Sequence, residues 1–139
     1  MDGMQAAILN VKLSHIEKWT EKRRKAAKNY DKLLKCIPSI TTPQENEHND
    51  HVYHLYVIKL KERNQLKKYL QENGIQTVIN YPKALPFYKA YDYLGHKHSD
   101  FPNSFTNQSK ILSLPIHPEI SLESQQFVIE RIKAFMRSL

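Results

Sequence analysis

Apolar residues recur at three- and four-residue steps through the first third of the chain: Met4, Ile8, Val11, His15 or Ile16, Trp19, Arg23, Ala26, Tyr30 and Leu33. That period predicts one long helix over residues 1–37. Asp2 followed by Gln5 has the form of a capping box, and Pro38 stops the pattern. At about 1.5 Å per residue the helix would be on the order of 50 Å long, longer than a compact domain of this size is wide. Such a helix needs something else to lie against, either a further domain of the same polypeptide or a second subunit.

The pattern then changes. Residues 38–50 are polar and carry Pro38, Pro43, Asn46 and Asn49, which reads as a loop. Residues 51–60 read as a strand, with Val52, His54, Tyr56, Ile58 and Leu60 on one face and Tyr53, Leu55 and Val57 on the other. Residues 62–73 form an amphipathic helix with Leu66, Tyr69 and Leu70 inward, closed by Gly74. A second strand is expected over 75–80 and a third over 110–114, stopped by Pro115 and Pro118. Ser121 caps a last helix whose buried stripe is Leu122, Val128, Ile132, Phe135 and Leu139. The order predicts an α/β (α+β) fold, with a short sheet of about three strands covered by helices and one long helix in front. The expected division is a lead-in helix over 1–37 and a small domain over 38–139.

Composition narrows the classes. A chain of 139 residues can bury a core without staples. Its single cysteine, Cys36, forms no internal disulfide and points to a reducing compartment, the cytoplasm; the thiol reads as structural. No apolar run is long enough for a bilayer, so a membrane is not an expected partner. The net charge of +7 invites a polyanion, but Lys22, Arg23, Arg24, Lys25 and Lys28 read as one solvated helix face. With three scattered glycines there is no phosphate-cradling loop, and there is no Gly-x-Ser-x-Gly elbow. His51 and His54 would point to opposite faces of a strand, which argues against a shared metal.

The candidate binding element is the segment that starts Asn80-Tyr81-Pro82-Lys83 and runs through Pro86, Phe87, Tyr88 and Tyr91. Two prolines stiffen it where the second strand ends, and its tyrosines offer flat faces with polar tips. Asn80, Tyr81, Pro82, Tyr88 and Tyr91 are therefore candidate substrate-proximal residues. His54 joins them from the neighbouring strand. The expectation is that His54, Asn80, Tyr81 and Tyr88 border one pocket. No residue is assigned a catalytic role.

Ordered motifs carry a further signal. Met1-Asp2-Gly3-Met4-Gln5-Ala6-Ala7 resembles the "R-M-D-x-x-Q-A-A" opening of a long helix in the DegT/DnrJ/StrS-type nucleotide-sugar aminotransferases. His51-Val52-Tyr53-His54-Leu55-Tyr56-Val57-Ile58 resembles that family's "H-x-x-H-x-Y-x-I" strand. Gly74-Ile75 with Tyr81-Pro82, then Ala84-Leu85-Pro86, Leu94-Gly95 and Asp100-Phe101-Pro102 continue the match. Leu112-Ser113-Leu114-Pro115 with Pro118-Glu119 resembles its "L-S-L-P-x-x-P-E" turn.

The resemblance implies the small C-terminal domain of a fold similar to the aspartate aminotransferases. In such enzymes the large domain carries pyridoxal phosphate on a lysine. It implies that this chain holds no cofactor itself, is inactive alone, and is an expressed fragment or the product of a truncated reading frame. Its partners would be the large domain, or a second copy joined through the N-terminal half of the helix. A nucleotide-linked keto-sugar, with glutamate as amino donor, would be the substrate of the intact enzyme, in amino-sugar or polysaccharide biosynthesis. Many relatives read "H-Y-P-x-P-L-H-x-Q" where this chain has Asn80, Ala84, Pro86 and Tyr88, which implies a changed sugar preference. The alternative reading is a basic module that binds RNA or another polyanion through exposed tyrosines. The charge and aromatics suit it, but not the ordered motifs, and nucleic acid is the less expected partner.

Overall fold

The computed structural model describes residues 1–139. The first apolar period yields two helices, α1 (Gly3–Leu13) and α2 (Ile16–Leu34), not one. At the break the Ser14 hydroxyl donates to the Val11 carbonyl at 2.7 Å. The His15 N–H pairs with Lys12 O, three residues back, so the α-helical ladder lapses there. The Asp2–Gln5 box does not form: the Asp2 side chain makes no cap bond. α1 buries no residue, whereas α2 buries Ala26, Ala27, Tyr30 and Leu34.

The sheet is smaller than the alternation predicts. β1 (Tyr56–Lys59) and β2 (Ile111–Leu114) pair antiparallel in the register Tyr56↔Leu114 through Lys59↔Ile111. The expected strand over 51–60 begins only at Tyr56 because Tyr53 sits at φ 49, in the left-handed region where a strand cannot continue. Val52 and His54 therefore do not extend the face of Tyr56, Ile58 and Leu60; both are exposed while those three are buried. The expected strand over 75–80 contributes one bridge, Val78 to Ser113, on the free edge of β2. Thr41 makes the matching bridge to Lys59 on the free edge of β1.

Three helices cover one face of this ribbon. α3 (Arg63–Glu72) follows β1, and α5 (Leu122–Arg137) ends the chain. Tyr30, Tyr56, Ile58, Leu66, Leu70, Leu112, Ile129 and Ile132 are the centre of the core. Gly74 closes α3 at φ 76, with the Ile75 N–H bonded back to Leu70 O. Ser121 caps α5 as expected, accepting from Ser124 N–H at 3.0 Å. Val128, Ile132 and Phe135 are buried as expected. Leu122 and Leu139 are exposed, one in the opening turn and the other past the last turn. Gln125 takes a core place, donating to Ala26 O at 2.8 Å and accepting from Asn29, so a polar clasp joins α5 to α2.

Candidate functional site

Between Val78 and β2 the chain makes one long excursion. Three short 3-10 turns (Leu85–Phe87, Lys89–Leu94, His98–Asp100) and a helix, α4 (Pro102–Asn107), fill it. Prolines start two of these elements, and Gly95 ends the second turn at φ 64. The excursion is pinned at its base twice. The Ala84 N–H donates to Gln108 Oε1 at 2.8 Å, and Ser113 Oγ donates to Asn80 Oδ1 at 3.3 Å. The Asn80–Tyr81 peptide is cis.

Inside the excursion the aromatic rings make a small cluster of their own. His98 stacks on Phe105 with centroids 3.7 Å apart at 17°. Phe87 sets its edge against both, at 5.2 and 5.6 Å. Beside the cluster lies a cleft of about 330 Å³ lined by Lys83, Phe87, Tyr91, Asp92, His96 and Gln108 among others. Gln108 spends its carbonyl oxygen on Ala84, which leaves its NH₂ group for a ligand. Flat rings beside a cation, a carboxylate and an amide suit a polar ring-bearing molecule.

The expected site residues do not all meet. Tyr91 lines this cleft, and Asn80 is tied to β2 through Ser113. Tyr81 is 72% exposed and Tyr88 37%. Pro82 is exposed. None of these three, nor His54, lines one of the five main clefts. The largest, about 630 Å³, lies between Gly74–Gln76, the 115–121 turn and the start of α5, and includes His117, Glu119 and Phe127.

The basic run of α2 is not simply a solvated face. Arg23 Nη1 donates to the carbonyls of Tyr53, His54 and Ile116 at 3.1–3.2 Å. Arg24 Nε donates to His51 O, and Lys22 pairs with Glu119. The His51 ring continues the arrangement, with Nδ1 accepting from Tyr53 N–H at 2.9 Å. The residues just before β1 thus hang on α2. One signal pointed this way: Arg23 falls on the apolar stripe of its helix, where a long side chain crosses to the sheet.

Local charge follows from burial and partners. Tyr30, Tyr53 and Tyr56 are all held above the ordinary phenol range, chiefly by desolvation. Tyr56 also donates to Asp31, and Tyr30 to Pro115 O. The hydrogen bond from Lys22 holds the Glu119 carboxyl below its usual value. Burial lowers Arg63, whose guanidinium donates to Ile111 O and Gln108 O. Cys36 is exposed just past the end of α2, its thiol 3.5 Å from the Leu33 carbonyl oxygen.

A small mixed domain with an aromatic loop across one sheet end is thus defined. The chain belongs to the DegT/DnrJ/EryC1/StrS aminotransferase family, matching it over residues 1–133. It is 40% identical over 99% of its length to the pleiotropic regulatory protein of Geobacillus stearothermophilus. It is 37% identical over 96% of its length to the erythromycin biosynthesis sensory transduction protein EryC1 of Saccharopolyspora erythraea. In each case it spans about 37% of the relative, as a C-terminal part does. The solved structure of DesV from S. venezuelae, in complex with a ketimine intermediate, superposes with a TM-score of 0.91 at 29% identity. That match covers 97% of this chain and 36% of DesV.

The family implies pyridoxal phosphate. The residues present do not make a complete site for it. A lysine anchor and a carboxylate facing the pyridine nitrogen are required, and the cofactor ring needs cover. Arg63, Ser113 and Gln125 are the buried polar side chains here, with no lysine or carboxylate among them.

Proposed function

We propose that this chain is the C-terminal part of an aminotransferase acting on nucleotide-linked keto-sugars, with glutamate as donor, in amino-sugar or polysaccharide biosynthesis in the cytoplasm. The cofactor and its lysine belong to the remaining part of such a protein, and this chain alone binds no pyridoxal phosphate and does not transaminate. The excursion over 80–108, with Asn80, Tyr81, Pro82, Tyr88 and Tyr91, borders the substrate, and His54, in the segment before β1, joins it. One observation carries the reading: nearly the whole chain matches family members while spanning only about a third of their length. The exposed apolar run of α1 supports it. Met4, Ile8, Leu9, Val11 and Leu13 are each half exposed or more, so α1 is built to lie on something. That surface is the rest of the polypeptide, or a second copy when the rest is missing. A polyanion-binding module accounts for charge alone and for none of the family match.

A chimera tests the proposal. The C-terminal part of DesV is replaced by this chain and turnover of a nucleotide-linked keto-sugar with glutamate is measured. Measurable turnover, with none from the isolated chain, is expected. A folded chimera that binds pyridoxal phosphate but no nucleotide-sugar contradicts it.

A further inference from the structure

A second cleft lies on the other side of the turn that closes the excursion. Gln108 faces the aromatic cleft, whereas its neighbours Asn107 and Lys110 line a cleft of about 410 Å³ with Ser39, Thr41, Lys59, Leu60 and Lys61. Three lysines, two hydroxyl-bearing residues and one asparagine line it, and no acidic residue does. The ion pairs of the chain involve Lys22, Arg24 and Lys68, so all three lysines of the cleft lack one. Lys59 and Lys110 are nonetheless half-buried.

The frame under these side chains is fixed. Thr41 and Lys59 exchange both backbone bonds at 2.9 Å, Leu60 N–H donates to Lys110 O at 3.1 Å, and Lys110 N–H donates to Asn107 O at 2.9 Å. A fourth cation lies beside it. Arg63 is 6% exposed; its Nη1 and Nη2 donate to the carbonyls of Ile111 and Gln108, on either side of the Lys110 segment, and its buried Nε has no partner. Its charge is therefore neutralised by no carboxylate and adds to the positive potential of the cleft.

We propose that this cleft binds a small anion bearing a phosphate or diphosphate group. Lysine ammoniums supply point charges to phosphate oxygens, and the hydroxyls and the Asn107 amide complete the donor set. Lysines on an open strand edge also discourage strand addition. That role needs charge alone and gives no saturable site. The inference is independent of the substrate reading, because none of His54, Asn80, Tyr81, Tyr88 or Tyr91 lines the cleft.

The test is amide chemical-shift titration of the 139-residue chain with inorganic pyrophosphate in about 0.15 M salt, the physiological screening regime. Saturating shifts at Thr41, Lys59, Leu60 and Lys110 are expected. The double change Lys59→Gln/Lys110→Gln weakens binding at least about tenfold, because charge-assisted contacts are lost. The double change Lys25→Gln/Lys28→Gln, on α2, removes the same charge and leaves binding intact. Uridine diphosphate as a second titrant separates sources. Equal affinity means the diphosphate alone is read, tighter binding means a nucleotide is read, and both support the proposal. Unsaturable shifts overturn it, as do equal losses in the two double variants. A single-stranded oligonucleotide that binds more tightly than pyrophosphate, with shifts reaching far beyond the cleft, overturns it too.

Discussion

Replacing Arg23 by Met keeps the apolar stem and removes the guanidinium. Its Nη1 serves three carbonyls from two segments, the residues before β1 and the turn after β2. A hydrogen bond from a charged group contributes about 1.5–3 kcal/mol when water cannot replace it. Arg23 is half-buried, and one nitrogen shares its protons among three acceptors, so the net loss should be about 2 kcal/mol. At this chain length that is a fall in Tm of roughly 8 °C, at about 4 °C per kcal/mol. Lys22→Met is the control. It breaks one exposed pair with Glu119, which solvent screens, and should change stability far less. Urea unfolding gives both values, and amide exchange at Tyr53 and Leu55 should rise only in the Arg23 variant. If the two variants unfold within about 0.5 kcal/mol of each other, the clasp carries no stability.

Other outcomes are expected together. The tyrosines Tyr30, Tyr53 and Tyr56 hold their protons more tightly folded than unfolded, so the unfolded chain binds fewer protons above its phenol pKa of about 10. Their stabilisation is intact below that pH and is lost progressively as pH rises beyond it toward the raised folded values. Urea midpoints from pH 9 to 11 should fall more steeply in the wild type than in Tyr30→Phe/Tyr56→Phe, after the loss common to both. Gly74→Ala should cost about 1–2 kcal/mol in thermal unfolding, for conformation alone, because an added Cβ meets nothing within 4 Å while φ is 76°. Ile8→Asp with Val11→Asp should leave unfolding within about 0.5 kcal/mol of wild type, since α1 buries nothing. Sedimentation should show the wild type as an oligomer and that variant as a monomer. The same species for both contradicts self-association through α1.

Much of this fold is legible from periodicity. The inward faces of α3 and α5, the Ser121 cap and the Gly74 closure follow from local rules that tertiary contacts reinforce. The misses have long-range causes. Tyr53 takes a left-handed backbone in a segment held by Arg23 and His51, and no pattern within residues 51–60 reveals that. Residues 75–80 look like a strand, but only Val78 meets an edge, because β2 is just four residues long. The gap in the first helix turns on Ser14 bonding backward to Val11, a choice the apolar period hides. At the candidate site, prolines and tyrosines mark the loop. The partners that fix it, Gln108 and Ser113, lie more than twenty residues away.

The proposed contact between the excursion over 80–108 and the sugar-nucleotide is open to direct measurement. In the active chimera, Tyr91→Ala and Tyr81→Ala should each raise KM for the nucleotide-sugar about tenfold, the loss of roughly one stacking or hydrogen-bond contact, with kcat little changed. Tyr93→Ala is the comparison, since Tyr93 is 80% exposed and lines none of the main clefts. Its loss should leave KM unchanged. A KM unmoved by the Tyr91 and Tyr81 changes, or moved equally by all three, contradicts the proposed contact.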